Sequence, residues 1–217
     1  MHCEEFKMKK LFALILVSVF VLCSCSAEKV EGDALEKYLE IIDGLKCGEV
    51  IVTSDATSNK ANVRFRETEN GCEILSVTKS GNTTYTNYFD GVNLYGGTDK
   101  LVKDETGELD SVTAKRNLIA APDYAINADW YDPDRSGVYK TSTGYKIVVV
   151  THEEEDEFTN NPDTTLTLYL NSDMVPTKAE ILDEIFADNG RTYSFKTKLQ
   201  YKNIGIEPIL QIPDIAQ

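Results

Sequence analysis

The chain has 217 residues, 41% of them hydrophobic, with 36 acidic residues against 22 basic ones and a formal net charge of -14 at pH 7. Neutralising phosphates takes clustered Lys and Arg, so this balance makes a poor nucleic-acid ligand and argues against a polybasic contact with anionic lipid headgroups. The length suits one domain with a substantial core, since no Pro- or Ser-rich linker divides the chain and no fixed-period repeat stands out.

Chain order begins with an export signal. Lys9 and Lys10 precede the uncharged, apolar run from Leu11 to Leu22. A spanning helix needs roughly 20 apolar residues, whereas this run is shorter and ends in small residues and cysteine. Its end, Leu22-Cys23-Ser24-Cys25, resembles the lipobox of bacterial lipoproteins, in which a small residue precedes a cysteine that is diacylated and becomes the new N-terminus. Ser24 suits the small-residue position before Cys25, whereas Leu22 before Cys23 is too bulky. The resemblance implies a signal peptide over residues 1–25, lipid on Cys25, a short tether over 26–32 and an extracytoplasmic domain anchored to the cell membrane. More than one acyl chain gives stable anchoring where a single chain is marginal. Ordinary secretion with cleavage nearby is the alternative. Ser26 after Cys25 favours outer-membrane sorting where an outer membrane exists.

Glu4 and Glu5 stand where such a signal should be basic, so the start is expected at Met8. Residues 1–25 carry Glu4 and Glu5 against Lys7, Lys9 and Lys10, and removing them leaves a mature charge of about -15.

From Asp33 to Leu45 the residues Leu35, Tyr38, Leu39, Ile42 and Leu45 recur at helical spacing, opposite Glu36, Lys37, Glu40 and Asp43. Asp33 is a cap for this amphipathic helix and Gly44 marks its end. The period then changes to two. Strands are expected at 48–55, 62–68, 72–79 and 83–90, with a further one at 92–102, separated by Asn-Gly, Ser-Gly-Asn and Asp-Gly turns. Cys47 and Cys72 fall in this region. One spare pair in an exported chain suggests a disulfide, worth roughly 3 kcal/mol by loop closure; two free buried thiols are the alternative.

Residues 108–133 interrupt the pattern with Ala, Asn and Asp, Pro122 and a Trp130-Tyr131 pair, and read as one or two short helices with a loop. Strands resume at 137–143, 145–152, 164–171, 176–188 and 191–204. In the last, Tyr193, Phe195, Leu199 and Tyr201 share one face and Ser194, Lys196, Lys198, Gln200 and Lys202 the other. A helix, antiparallel hairpins, a helical interruption and more strands predict an α+β fold: an incomplete antiparallel β-barrel, or half-barrel, with helices packed in or over its concave face.

The order of elements resembles the LolA/LolB carriers and the LppX/LprG-like lipoproteins of the bacterial envelope. The residues carrying the resemblance are TTLTLYLNSDMVPTKAEILDE at 164–184, RTYSFKTKLQYKNIG at 191–205 and the closing Ile212-Pro213-Asp214. It implies a LolA-like domain over 33–217 that binds an acyl chain or another hydrophobic ligand in an apolar concavity.

Candidate sites follow from residue types. Trp130, Ile147, Val149, Leu166, Leu168, Leu170, Tyr193, Phe195 and Leu199 are expected to line one concave face, as a ligand site or as ordinary core. His152 before the acids at 153–157 lacks a nucleophile partner and reads as a solvated surface group, so no enzyme is expected. Asp132-Pro-Asp134-Arg-Ser136-Gly137 copies the first half of a calcium loop, but Thr143 holds the twelfth position where a bidentate Glu belongs, so a tight turn and no metal are expected. No cofactor is implied. The partners expected are the membrane through Cys25, a lipid or apolar ligand, and an envelope protein as the alternative if the core is filled.

Overall fold

A computed structural model describes residues 27–57, 59–69, 71–104, 110–120, 128–152, 163–186 and 192–216. The expected signal segment with Cys25, the expected start at Met8 and the acidic run 153–157 lie outside the described residues. Among the described residues no helix is long and apolar enough to cross a membrane.

The elements in chain order are β1 (Glu28–Val30), α1 (Ala34–Asp43), β2 (Cys47–Ser54), β3 (Lys60–Thr68), β4 (Gly71–Ser80), β5 (Thr83–Phe89), β6 (Leu94–Gly97), β7 (Val102–Lys103), α2 (Ser111–Ile119), a 3-10 turn (Ala128–Trp130), β8 (Gly137–Thr141), β9 (Gly144–His152), β10 (Asp163–Leu170), β11 (Pro176–Phe186) and β12 (Thr192–Lys202). All strands belong to one open sheet in the order β1-β8-β9-β10-β11-β12-β2-β3-β4-β5-β6-β7. Every pairing between them is antiparallel. Two meanders, β2 to β7 and β8 to β12, therefore meet where β12 pairs with β2.

Two expectations are corrected. The tether expected over 26–32 contains β1, which pairs with β8 from Glu28–Lys140 to Val30–Val138. The strand expected over 92–102 is broken into β6 and β7, because the chain doubles back so tightly that a Cβ on Gly97 would lie 1.9 Å from the Lys100 carbonyl oxygen.

Local chemistry explains both helices. Asp33 accepts from the Glu36 amide at 2.8 Å and Asp110 from the Val112 and Thr113 amides, each satisfying helix N-terminal donors. The α1 face Ala34, Leu35, Tyr38 and Ile42 is buried. At its C-terminal end Asp43 opposes the helix dipole, an unfavourable placement that α2 offsets. Lys115 donates to the Asp43 carbonyl oxygen at 2.8 Å, and Arg116 grips its carboxylate at 2.9 and 2.5 Å.

Both helices lie against the same face of the sheet, here the inner face. Its core joins Leu35, Tyr38 and Ile42 of α1 and Ala114 and Ile119 of α2 with alternate strand residues from β8 round to β5. A smaller cluster, Leu75, Tyr88 and Leu101, sits on the outer face and is covered by Leu210. Leu210 belongs to a C-terminal strap, residues 203–216, that crosses this face. The strap is held by Arg64 to the Ile209 carbonyl oxygen, Arg66 to Glu207, and backbone bonds joining Leu101 to Asp214 and Ala216.

Candidate functional site

Ile147, Val149, Leu166, Leu168, Leu170 and Leu199, expected along a concave face, do share one face, but all are at most 4% exposed. They form core with α1 and α2, so the helices occupy the space these residues would otherwise offer a ligand. The other three expected lining residues lie outside that core. Trp130 and Phe195 are half-buried and Tyr193 is 45% exposed. Register gives the reason for the last two. β2 pairs β12 only from Thr197 to Lys202, so Phe195 and Tyr193 run past its end and have β11 alone as a neighbour.

Among the described residues an apolar opening lies at the end of α1. Ile41, Leu45, Met174, Val175, Pro176 and Ile204 bound an open groove of about 510 Å³, with Lys37, Glu40 and Lys46 at its rim. That volume is within the range of roughly 300–1,000 Å³ typical of small-molecule sites. A second groove of about 410 Å³ runs along α1 between Glu36 and Val138 and shares Lys37, Glu40 and Met174 with the first. Met174, on the turn between β10 and β11, stands at the junction in the left-handed region with φ 62°. Asn171 holds it there: its side-chain oxygen accepts from the Asp173 and Val175 amides, and its carbonyl from the Met174 amide. An unbranched thioether so placed adapts to irregular apolar shapes.

Cys47 also lines this groove. The expected disulfide is absent: both Cys47 and Cys72 are free thiols. Cys47 is paired with Arg66 and Cys72 with Glu67, so β3 lies between them. Two inter-strand spacings put their Cα atoms about 10 Å apart, beyond the roughly 7 Å a disulfide spans. Burial pushes the Cys72 thiol up to about 11.

His152 is engaged and not merely solvated. Its Nδ1 lies 2.7 Å from Asp163, whose other oxygen takes a 2.5 Å bond from Arg135. The Arg135 guanidinium is the main reason the Asp163 carboxyl lies below the usual carboxylate range. The calcium-like segment is a closed turn: Asp132 accepts from the Asp134 and Arg135 amides, while Ser136 donates to the Asp132 carbonyl oxygen and accepts from the Val150 amide. Among the described residues no group of His, Cys, Asp and Glu is placed to hold a metal ion.

The groove residues Ile41, Met174 and Ile204 escape a sequence reading because each belongs to a different element. Ile41 lies just off the apolar stripe of α1, Met174 in a turn and Ile204 beyond the last strand. Only the end-to-end arrangement of α1, the β10–β11 turn and the start of the strap brings them together. No protein-family model matches this chain, and no curated protein matches it.

Proposed function

We propose that the protein is a membrane-anchored, extracytoplasmic lipoprotein whose domain binds an acyl chain or another apolar ligand without catalysis. Its receptive surface is the groove at the end of α1 and not the domain interior. The observation that carries this reading is the groove itself: an opening of ligand size with an apolar lining of Ile41, Leu45, Met174, Val175, Pro176 and Ile204.

The same reading takes the open sheet as a half-barrel. The nine strands from β8 round to β5 laid flat would span roughly 40 Å, whereas two helices side by side cover about 20 Å. One core joins those strands with both helices, in keeping with a sheet curled around them. On this reading the layout resembles that of the LolA-like carriers, with the interior taken by the chain's own helices. β1 begins three residues after Cys25, so lipid on that cysteine would hold the domain within about 10 Å of the membrane surface.

The test is native mass spectrometry of residues 26–217 purified without detergent, followed by lipid extraction. One apolar molecule per chain is expected, retained in wild type and lost in Ile41→Asp and Ile204→Asp, both at half-buried positions. Chains that emerge empty and take up no added fatty acid would overturn the proposal. That result would favour the second reading, an interaction lipoprotein with a filled core, which the sealed positions of Ile147, Val149, Leu166, Leu168 and Leu199 support.

A further inference from the structure

The outer face of the sheet gathers unpaired lysines in a chain that is acidic as a whole. Outward-facing positions on β12, β3 and β4 hold Lys196, Lys198, Lys202, Lys60 and Lys79, none in an ion pair among the described residues. Lys60 stands directly opposite Lys79, and Thr53 links the row to Lys198. Like charges directly opposed across a ladder are destabilising, so this placement runs against folding stability. Between these lysines and Arg64 lies a groove of about 410 Å³ whose floor is Leu75 and Val77.

Beside that groove runs the strap, and it shows a second feature. Ile206, Ile209, Ile212 and Ile215 recur every third residue and are 64%, 79%, 39% and 44% exposed, with Val102 on the adjoining edge strand at 59%. Leu210 between them packs inward on the outer cluster and fixes the strap in place. The isoleucines thus project from an anchored segment. A cationic groove with an apolar floor, next to a row of outward isoleucines, pairs headgroup attraction with interfacial apolar burial, the combination that holds peripheral segments on membranes.

We propose that this outer face, from Lys198 across Lys60 and Lys79 to the isoleucines of the strap, is a docking surface for anionic phospholipid. The phosphate of a headgroup sits between Lys60 and Lys79, and the strap isoleucines enter the headgroup boundary. Charge complementarity selects this occupant, since Lys60 and Lys79 at the groove meet no acid within ion-pair distance among the described residues, whereas Arg64 already holds Glu49 at 2.9 Å. The acidic remainder of the chain does not cancel the attraction, because charges farther than a Debye length of about 8 Å are largely screened at physiological salt. The inference rests neither on lipid at Cys25 nor on the groove at α1.

The experiment is vesicle co-sedimentation of unlipidated residues 26–217, which contain every described element. Vesicles of phosphatidylcholine alone are compared with vesicles in which about a third of the lipid is phosphatidylglycerol. Binding is expected only to the second, with at least about a tenfold loss in K60E/K79E and a weaker, more salt-sensitive association in I206S/I209S. K60E alone creates an opposite-charge pair with Lys79, so it should fold at least as well as wild type by circular dichroism and still bind less. I41D should bind as wild type, which separates this surface from the ligand groove. Failure to bind anionic vesicles at physiological salt, or binding that K60E/K79E leaves unchanged, overturns the proposal, and an acidic protein captured in place of lipid would do the same.

Discussion

Two cysteines of the same chemistry differ here through placement alone. Cys72 is 3% exposed within the inner core, and burial raises its thiol to about 11, whereas Cys47 is half-buried at the lip of the α1 groove. At pH 8 roughly a thousandth of Cys72 is thiolate even before access is considered. In residues 26–217 a maleimide should therefore label Cys47 alone in the native protein and both cysteines in urea without reductant, as read by intact mass. A bridged pair would give no label in either condition. Being the one spare pair in a chain expected to be exported suggested a bridge between them; the intervening β3 separates them, and a register of that kind is set by which faces are apolar across three strands, not by the cysteines.

At the scale of elements, the ends of β8, β9 and β10 are tied by a polar clamp. Arg135 leaves the turn before β8, His152 ends β9 and Asp163 begins β10. The Asp163 carboxyl is depressed in the folded state, first by its bond from Arg135. Such a group stabilises the fold above the unfolded carboxyl pKa of about 3.9, and that stabilisation is lost as pH falls through the lower folded value. Asp163→Asn should cost up to about 1 kcal/mol at pH 7, since Arg135 is half exposed and solvent screens the pair. The difference from wild type should vanish near pH 2 in urea titrations at the two pH values; an equal deficit at both would show that the carboxylate charge is not what stabilises the clamp. Elements themselves are largely legible in the sequence. The capped α1, the hairpins of β2 to β5 and the alternation of β9 to β12 follow from period and turn residues. The failure of alternation at Tyr193 does not, because its exposure depends on where the neighbouring β2 stops.

The whole molecule is knit across its two meanders. β12 pairs with β2, β1 with β8, and α1 packs on β9, so each half completes the other's sheet or core. Neither half has an independent core, and unfolding should be a single transition: far-ultraviolet dichroism and tryptophan fluorescence of Trp130 should give one midpoint in urea. Two separated midpoints would contradict this packing. Charge shows the same dependence on assembly. A net charge of -14 argues against contact with an anionic surface only if charge is evenly spread. Strand alternation instead collects Lys60, Lys79, Lys196, Lys198 and Lys202 on one face.

Residue order alone determines the cap and apolar stripe of α1 and the strand periods, because each depends on chemistry within a few neighbouring residues. The spacing of Ile206, Ile209, Ile212 and Ile215 is equally plain in the sequence, although its meaning is not. Tertiary structure decides the rest. It fills the inner face with α1 and α2, keeps Cys47 from Cys72, forms the groove from three distant elements, and lays the isoleucine strap beside the lysines. Each of these is a question of which surfaces meet, and that is settled by burying one face of a twelve-stranded sheet as a whole.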